Sequence, residues 1–242
     1  MRKPGLAAPL ACVAAILLST VAAQGASCPA VLNSATRLVL VSADGMNTNR
    51  AWLSLWRRAG VAQPWQRLGP SEPVLLGQNG LAWGPGFQHL ARAGEPRKHE
   101  SDWRSPIGIY RLGAPFGFGP SRLSNYVRIV PGRTICVDDP KSPAYNTVTS
   151  IDRVGSGVSA ERMWEYPQYR SGLFIRYPSS HAHPADSCIF IHAAESPDEL
   201  TAGCLALPQA RVIALQNFAA SRAVLATVSQ DTRDRFGTCL PN

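Results

Sequence analysis

Three features of the sequence predict a mainly β domain, a β-sandwich or mixed β-sheet with helices at its periphery. Short β-branched and aromatic runs recur along the chain, Gly and Pro (twenty of each in 242 residues) punctuate them, and only two segments carry helix signals. No internal repeat, low-complexity tract or second hydrophobic nucleus breaks this pattern. The composition, 45% hydrophobic and 17% charged, is that of a globular chain and excludes a fibre or a disordered linker.

The elements follow in order. Residues 36–42 (TRLVLVS) read as a strand, Asp44-Gly45 as its turn and residues 51–57 (AWLSLWR) as the returning strand. Residues 69–100, dense in Gly and Pro around LGQNGLAWGPG, read as an ordered loop region with only short strands. These glycines lack both a Walker lysine and the dinucleotide spacing, so they form no phosphate fingerprint. Segments 107–112, 126–130 and 133–137 are short β-prone runs at the spacing of an antiparallel β protein. Ser159 predicts the N-cap of a short helix ending before Pro167. Residues 173–177 and 188–192 (CIFIH) are the next strands, the second apolar enough to be central. Pro208 suits the first turn of a helix with Val212, Leu215 and Phe218 on one face, and residues 223–228 close with a strand.

The first two dozen residues differ from the rest. Arg2 and Lys3, an apolar stretch from Leu10 to Leu18 and small residues at Val21, Ala22 and Ala23 predict a signal peptide over 1–23. A single domain over 24–242 is then expected, exported to the periplasm or cell wall, with no membrane span in the mature chain. The formal charge of +8 falls to +6 without Arg2 and Lys3. The remaining basic residues are mostly Arg, spread without a run, which disfavours nucleic acid and fits carboxylate-bearing substrates.

Five cysteines remain after the signal: Cys28, Cys136, Cys188, Cys204 and Cys239. Five is odd, so in an oxidising compartment one thiol is left for an intermolecular link or for chemistry. Cys28 and Cys239 flank the mature chain and make a natural pair, with Cys136 and Cys188 as the second, although four cysteines allow three connectivities. Cys204 is set apart by context. The run CIFIHAAESPDELTAGCLALP carries a strand ending in His192, a polar loop, and Thr201-Ala202-Gly203-Cys204 ahead of an apolar run. A thiol nucleophile needs a base beside it, and His is the usual partner. Gly203 lets a substrate approach the backbone, and the Gly203 and Cys204 amides could face an oxyanion.

The order His192, Thr201, Gly203, Cys204 resembles the motif of the L,D-transpeptidase (YkuD-like) catalytic domain family, cysteine enzymes of bacterial peptidoglycan. The segment KHESDWRSPIGIYRL (98–112) resembles that family's lysine, acidic and Ser/Thr-Pro-x-Gly-x-aromatic element, and CVDDPKSPAYN (136–146) resembles a segment of one of its branches. The resemblance runs from about residue 36 to 228. It departs at Ala202, where many members carry His, at Ala206, where many carry Arg or Asn, and in the twelve-residue interval from His192 to Cys204, shorter than usual. The resemblance implies the L,D-transpeptidase fold and acylation of Cys204, with His192 as base, by a stem peptide that loses its terminal D-Ala. An amine then resolves the thioester into a 3,3 cross-link, or water does so as a carboxypeptidase, and no metal or organic cofactor is required. A degenerate, non-catalytic wall-binding module is the alternative from another class.

Further candidates carry less. Arg104, Tyr145 and Asn146 lie in family-like segments as binders of stem-peptide carboxylates or backbone, with Thr201 beside the nucleophile, and His183 is a candidate lining residue. Asp138-Asp139 reads as a turn before Pro140 more than as a carboxylate pair. The His181-Ala182-His183 run near Cys188 lacks a third ligand at zinc spacing. Trp52, Trp56 and Trp83 read as packing residues.

Overall fold

The computed structural model describes Met1, residues 28–219 and residues 223–242, so nearly all of the expected export signal lies outside the described residues. The strands, in chain order, are β1 (Arg37–Ala43), β2 (Arg50–Arg57), β3 (Gln66–Leu75), β4 (Leu81–Trp83), β5 (Ser105–Gly117), β6 (Val127–Arg128), β7 (Thr134–Val137), β8 (Val148–Ser150), β9 (Ala160–Arg162), β10 (Ser171–Arg176), β11 (Phe190–Ala193), β12 (Leu205–Leu207) and β13 (Ala223–Ser229). Among the described residues four α-helices accompany them, α1 (Ala30–Asn33), α2 (Ile151–Val154), α3 (Gln209–Phe218) and α4 (Gln230–Arg233), besides short 3-10 turns. The fold is mainly β with peripheral helices, as the sequence predicts.

Hydrogen-bonded neighbours run β10-β11-β12-β3-β2-β1-β13-β5, and β5 pairs with β10, so the large sheet closes on itself like a barrel. Closure removes most of the exposed edge that an open sheet would present. The pairing is mixed rather than all antiparallel: β1 runs parallel to β13, β11 to β12 and β4 to β5. β13 lies between β1 and β5 and all seven of its residues are buried, which is why its sequence, AVLATVS, shows no alternation. Helix α3 follows Pro208 as expected. Val212 and Leu215 are buried, and Gln216 donates to the carbonyls of Phe116 and Gly172, both at 2.9 Å, pinning the helix across β5 and β10.

Two expectations fail for local reasons. β3 is ten residues long although it contains Gly69, Pro70 and Pro73. On one side it pairs with β2 around an irregularity at Leu53/Leu55, and on the other it meets β12 only at Leu75, so its prolines forfeit few ladder bonds. Ser159 caps no helix. The segment enters β9, which pairs with β7, and a 3-10 turn over Met163–Glu165 follows.

β8, β7 and β9 form a second, three-stranded sheet. Between it and the large sheet lies a small core of Phe116, Ile129, Cys136, Met163, Tyr169, Cys188, Phe190 and Cys204, separate from the main core. Disulfides join Cys28 to Cys239 and Cys136 to Cys188. The second ties the small sheet to the segment that leads into β11. No helix among the described residues is long and apolar enough to cross a membrane.

Candidate active site

Strand periodicity places the two reactive side chains. Ile191 and Leu205 are register partners on the parallel pair β11 and β12, and both point into the main core. Period-2 alternation therefore turns Phe190, His192, Cys204 and Ala206 to the other face, toward the small sheet. His192 stands level with Ala206, and Cys204, one residue before β12, sits beside Phe190, whose N–H it accepts, so the thiol and the imidazole lie on one face two positions apart. They share one cavity of about 400 Å³.

The thiol is 8% exposed and is held by backbone groups: the Phe190 N–H donates to Sγ at 3.3 Å, and Sγ–H donates to the Cys188 carbonyl at 3.4 Å. Among the described cysteines it alone is free. Burial pushes its pKa well up, and the negative charge of Glu161 adds to the shift. His192 is 3% exposed, and burial lowers its pKa to about 4. Its Nδ1 lies 3.2 Å from the Ala193 carbonyl, which can only accept, so Nδ1 carries the proton and Nε2 is left as the base. The resting pair is neutral thiol and neutral imidazole. The Tyr169 ring packs edge-on against the imidazole at 5.8 Å.

The turn before the nucleophile is fixed from several sides. Thr201 Oγ1 donates to the Cys204 carbonyl at 2.7 Å and accepts the Gly203 N–H at 3.4 Å. Ser105 Oγ donates to the Gly203 carbonyl at 2.8 Å and accepts the Gly77 N–H at 2.9 Å. Gly203 has φ +134°, and a Cβ there would fall 2.8 Å from Ile189 Cδ1 and 2.9 Å from the Arg104 carbonyl. Only glycine fits.

The other sequence candidates, Arg104, Tyr145, Asn146 and His183, do not line this cavity. Asn146 does not line the cavity: its Oδ1 accepts the Cys188 N–H at 3.1 Å and its Nδ2 donates to the carbonyls of Tyr177 and Ser179, so it braces the segment before β11. The Tyr145 hydroxyl is buried against Glu100, a cavity residue, and positions it. Arg104 points away, and its guanidinium donates to the Met46 and Leu81 carbonyls and to Asn47 Oδ1. All three contacts use Nη1, and the residue does not line the cavity. His183 is exposed in a hairpin with Ser180 and lies outside the cavity, and Cys188, the nearest thiol to the His181 and His183 run, is taken by its disulfide.

Two residues of the site, Asp186 and Glu161, carry no signal in the sequence, while Lys98 and Asp102 lie in the 98–112 element already singled out. Lys98 is buried and paired with Asp102 and Asp186, joining the loop before β5 to the segment before β11. Burial raises the Asp186 carboxyl to about 6 against the pull of Lys98. Glu161, on β9 opposite Cys136, lines the cavity, accepts the Tyr169 hydroxyl at 2.7 Å, and is raised by burial to about 7. The expected helix at 159–166 would have hidden it.

A second cavity, about 750 Å³, opens on the other side of the loop after His192. Trp52, Pro73, Val74, Leu75, Ala206 and Leu207 give it a largely apolar wall.

No protein-family profile and no curated protein matches the sequence. Among solved structures the chain is similar to the crystal structure of L,D-transpeptidase 3 from Mycobacterium tuberculosis, with a TM-score of 0.35 and 13% identity over 80% of this chain. The match spans 61% of that structure's length. A likeness this distant says nothing about the chemistry of the cavity.

Proposed function

We propose that the chain is an exported cysteine acyltransferase, an L,D-transpeptidase acting on peptidoglycan stem peptides, carried by one domain from residue 24 behind an export signal at 1–23. One observation carries this reading: four of the five described cysteines are joined in disulfides, and the fifth lies with His192 in the wall of one cavity. The disulfides fit a chain that folds in an oxidising compartment. The motif His192, Thr201, Gly203, Cys204 and its resemblance to the transpeptidase family supply the substrate.

In this mechanism Nε2 of His192 takes the thiol proton as Sγ of Cys204 attacks the carbonyl before a terminal D-Ala. The imidazolium returns that proton to the departing amine, which leaves a thioester. The resting site holds no ion pair, so the thiolate forms only as the proton moves. The backbone N–H of Cys204 receives the oxyanion, joined by that of Gly203 once it leaves its 3.4 Å contact with Thr201 Oγ1, an effect worth about 3 kcal/mol per donor. An amine of a second stem, or water, then opens the thioester.

A non-catalytic wall-binding module draws on a different observation, the thiol's two backbone contacts in place of one to His192. The test is mass spectrometry of the mature protein incubated with a disaccharide-tetrapeptide, beside Cys204→Ala. The expected outcome is a thioester adduct with loss of D-Ala and formation of dimers, all absent in the variant. D-Ala loss without dimers assigns the hydrolase. A protein that binds the muropeptide yet never loses D-Ala is the binding module.

A further inference from the structure

The cavity around Cys204 has a charge opposite to that of the chain. The sequence carries a formal +8, yet the cavity is lined by five carboxylates, Glu100, Asp138, Glu161, Asp186 and Glu199, and by no Lys or Arg. Three of the five have partners away from the thiol: Asp186 pairs with Lys98, Glu100 receives the Tyr145 hydroxyl, and Glu199 accepts the Glu195 N–H at 2.6 Å and lies 4.0 Å from His192 Nδ1. Asp138 differs, since its Oδ1 is buried without a hydrogen-bond partner. Glu161 is held by the Tyr169 hydroxyl through Oε2, on the same tyrosine whose ring packs against His192. It also lies across the β7–β9 ladder from Cys136, whose disulfide partner Cys188 offers its carbonyl to the Cys204 thiol. Cleft, nucleophile and this carboxylate are thus fixed relative to one another by covalent and ladder bonds.

The geometry points to Glu161, with Asp138 beside it, as the group that binds the primary ammonium of the incoming acceptor and takes its proton. The inference rests on the acyl-transfer reading above and names the residue that reading lacks. An amine at neutral pH arrives as R–NH₃⁺ and has no lone pair for attack. One proton passes to the Glu161 carboxylate, giving R–NH₂ and a carboxylic acid. The nitrogen then forms a C–N bond at the thioester carbonyl while the C–S bond breaks. The nitrogen's second proton goes to Nε2 of His192 and from there to Sγ, which restores the thiol, and the third stays on the new amide. Glu161 returns its proton to water. A carboxyl that titrates near neutrality suits such a step, because it is ionised enough to accept and acidic enough to release. The titratable groups facing Glu161 are Tyr166 and Tyr169 from the turns after β9, Asp138 from the end of β7, Asp186 from the segment before β11, and Cys204. Burial first, and the charges of Glu161 and Asp186 after it, hold the thiol protonated, so a cation seated beside those carboxylates favours the thiolate.

The test compares Glu161→Gln, which keeps a side chain able to accept from Tyr169, with the unaltered protein in three readouts. Calorimetric binding of diaminopimelate, used alone, is expected in the unaltered protein and weakened about tenfold or more in Glu161→Gln. Acyl-enzyme formation from a tetrapeptide donor is expected not to fall, because removing the Glu161 charge eases ionisation of the thiol, while transfer to diaminopimelate falls about 10²-fold. The remaining transfer is expected to follow the free-amine concentration as pH rises, without the titration near 7. Glu161→Asp is expected to recover part of the transfer and Asp138→Asn to weaken binding alone. Equal diaminopimelate binding in both proteins, binding in neither, or equal loss of acylation and transfer overturns the assignment. Selective binding without any acyl-enzyme in the unaltered protein supports the cation site and overturns the acyl-transfer reading instead.

Discussion

The loop after His192 separates two cavities that differ in size, polarity and content. Residues 194–197 line the larger, of about 750 Å³, whose wall is largely apolar and includes Trp52, 53% exposed. Residues 199–202 line the smaller, of about 400 Å³, which holds the thiol, the imidazole and five carboxylates. Volume and apolar wall measure how much water a ligand would shed on entering. Chemistry needs groups whose protonation is displaced from the ordinary, and Cys204, His192 and Glu161 all stand in the smaller cavity. The larger groove has the better shape for an apolar guest, and its polar lining, Asp44, Thr48, Arg50, Glu195 and Ser196, includes no thiol or imidazole.

The sharpest way to break this contrast is His192→Gln, which keeps a polar side chain of similar size and removes the base. Acyl-enzyme formation, followed by mass spectrometry, is expected to fall 10²- to 10⁴-fold. A drop of less than tenfold would mean that the thiol finds its base elsewhere. Next comes the bond that holds the smaller cavity together. Replacing Cys136 and Cys188 by Ser opens a closure across 52 residues and is expected to cost about 4 kcal/mol of unfolding free energy in denaturant titrations. The small sheet, with Glu161 on it, loses its covalent tie to the nucleophile's neighbourhood in the same step.

Protonation sharpens the contrast further. His192 is depressed from 6.5 to about 4 in the fold, so its contribution is intact above pH 6.5 and is lost on acidification through 4. Glu161 is raised from 4.5 to about 7, so its contribution is intact below pH 4.5 and is lost as pH rises through 7. Between pH 4.5 and 6.5 the two slopes are of opposite sign and about 1.4 kcal/mol per pH unit each, and they offset one another. Denaturant titrations are expected to show Glu161→Gln losing stability as pH falls through that window and His192→Gln gaining it. Parallel behaviour of the two variants would place the cavity's charges wrongly. The smallest effect is expected in the groove: Trp52→Ala should shift stability by no more than about 0.5 kcal/mol and leave acylation within twofold.

The legible part of the fold was whatever local pattern decides. TRLVLVS, CIFIH and the Pro208 helix announce themselves through branched residues, apolar runs and a proline at a helix start, and Cys204 stands out by cysteine parity. The strand lengths of β3 and β5 and the closure of β5 on β10 depend on which partner an edge meets, and that information lies far along the chain. Glu161 and Asp186 are the same case within the site. Each looks like an ordinary surface charge in its own segment, and each becomes part of the cavity wall only when β9 and the approach to β11 are folded against one another. Arg104 shows the reverse, since one nitrogen of a guanidinium in a motif-like segment is engaged by nearby backbone carbonyls and the residue stands outside the cavity wall.

The Cys28–Cys239 bridge has a mechanical consequence. Its two ends lie 211 residues apart in sequence and 5.4 Å apart at Cα. A pull applied between residues 28 and 239, as on a protein strung between two anchors, runs through the sulfur–sulfur bond and leaves the parallel β1–β13 ladder unloaded. Only when that bridge is reduced does the same tension fall on the ladder, along its strands, so the oxidised domain bears load as an inextensible link and the reduced one as a fold that can be drawn apart.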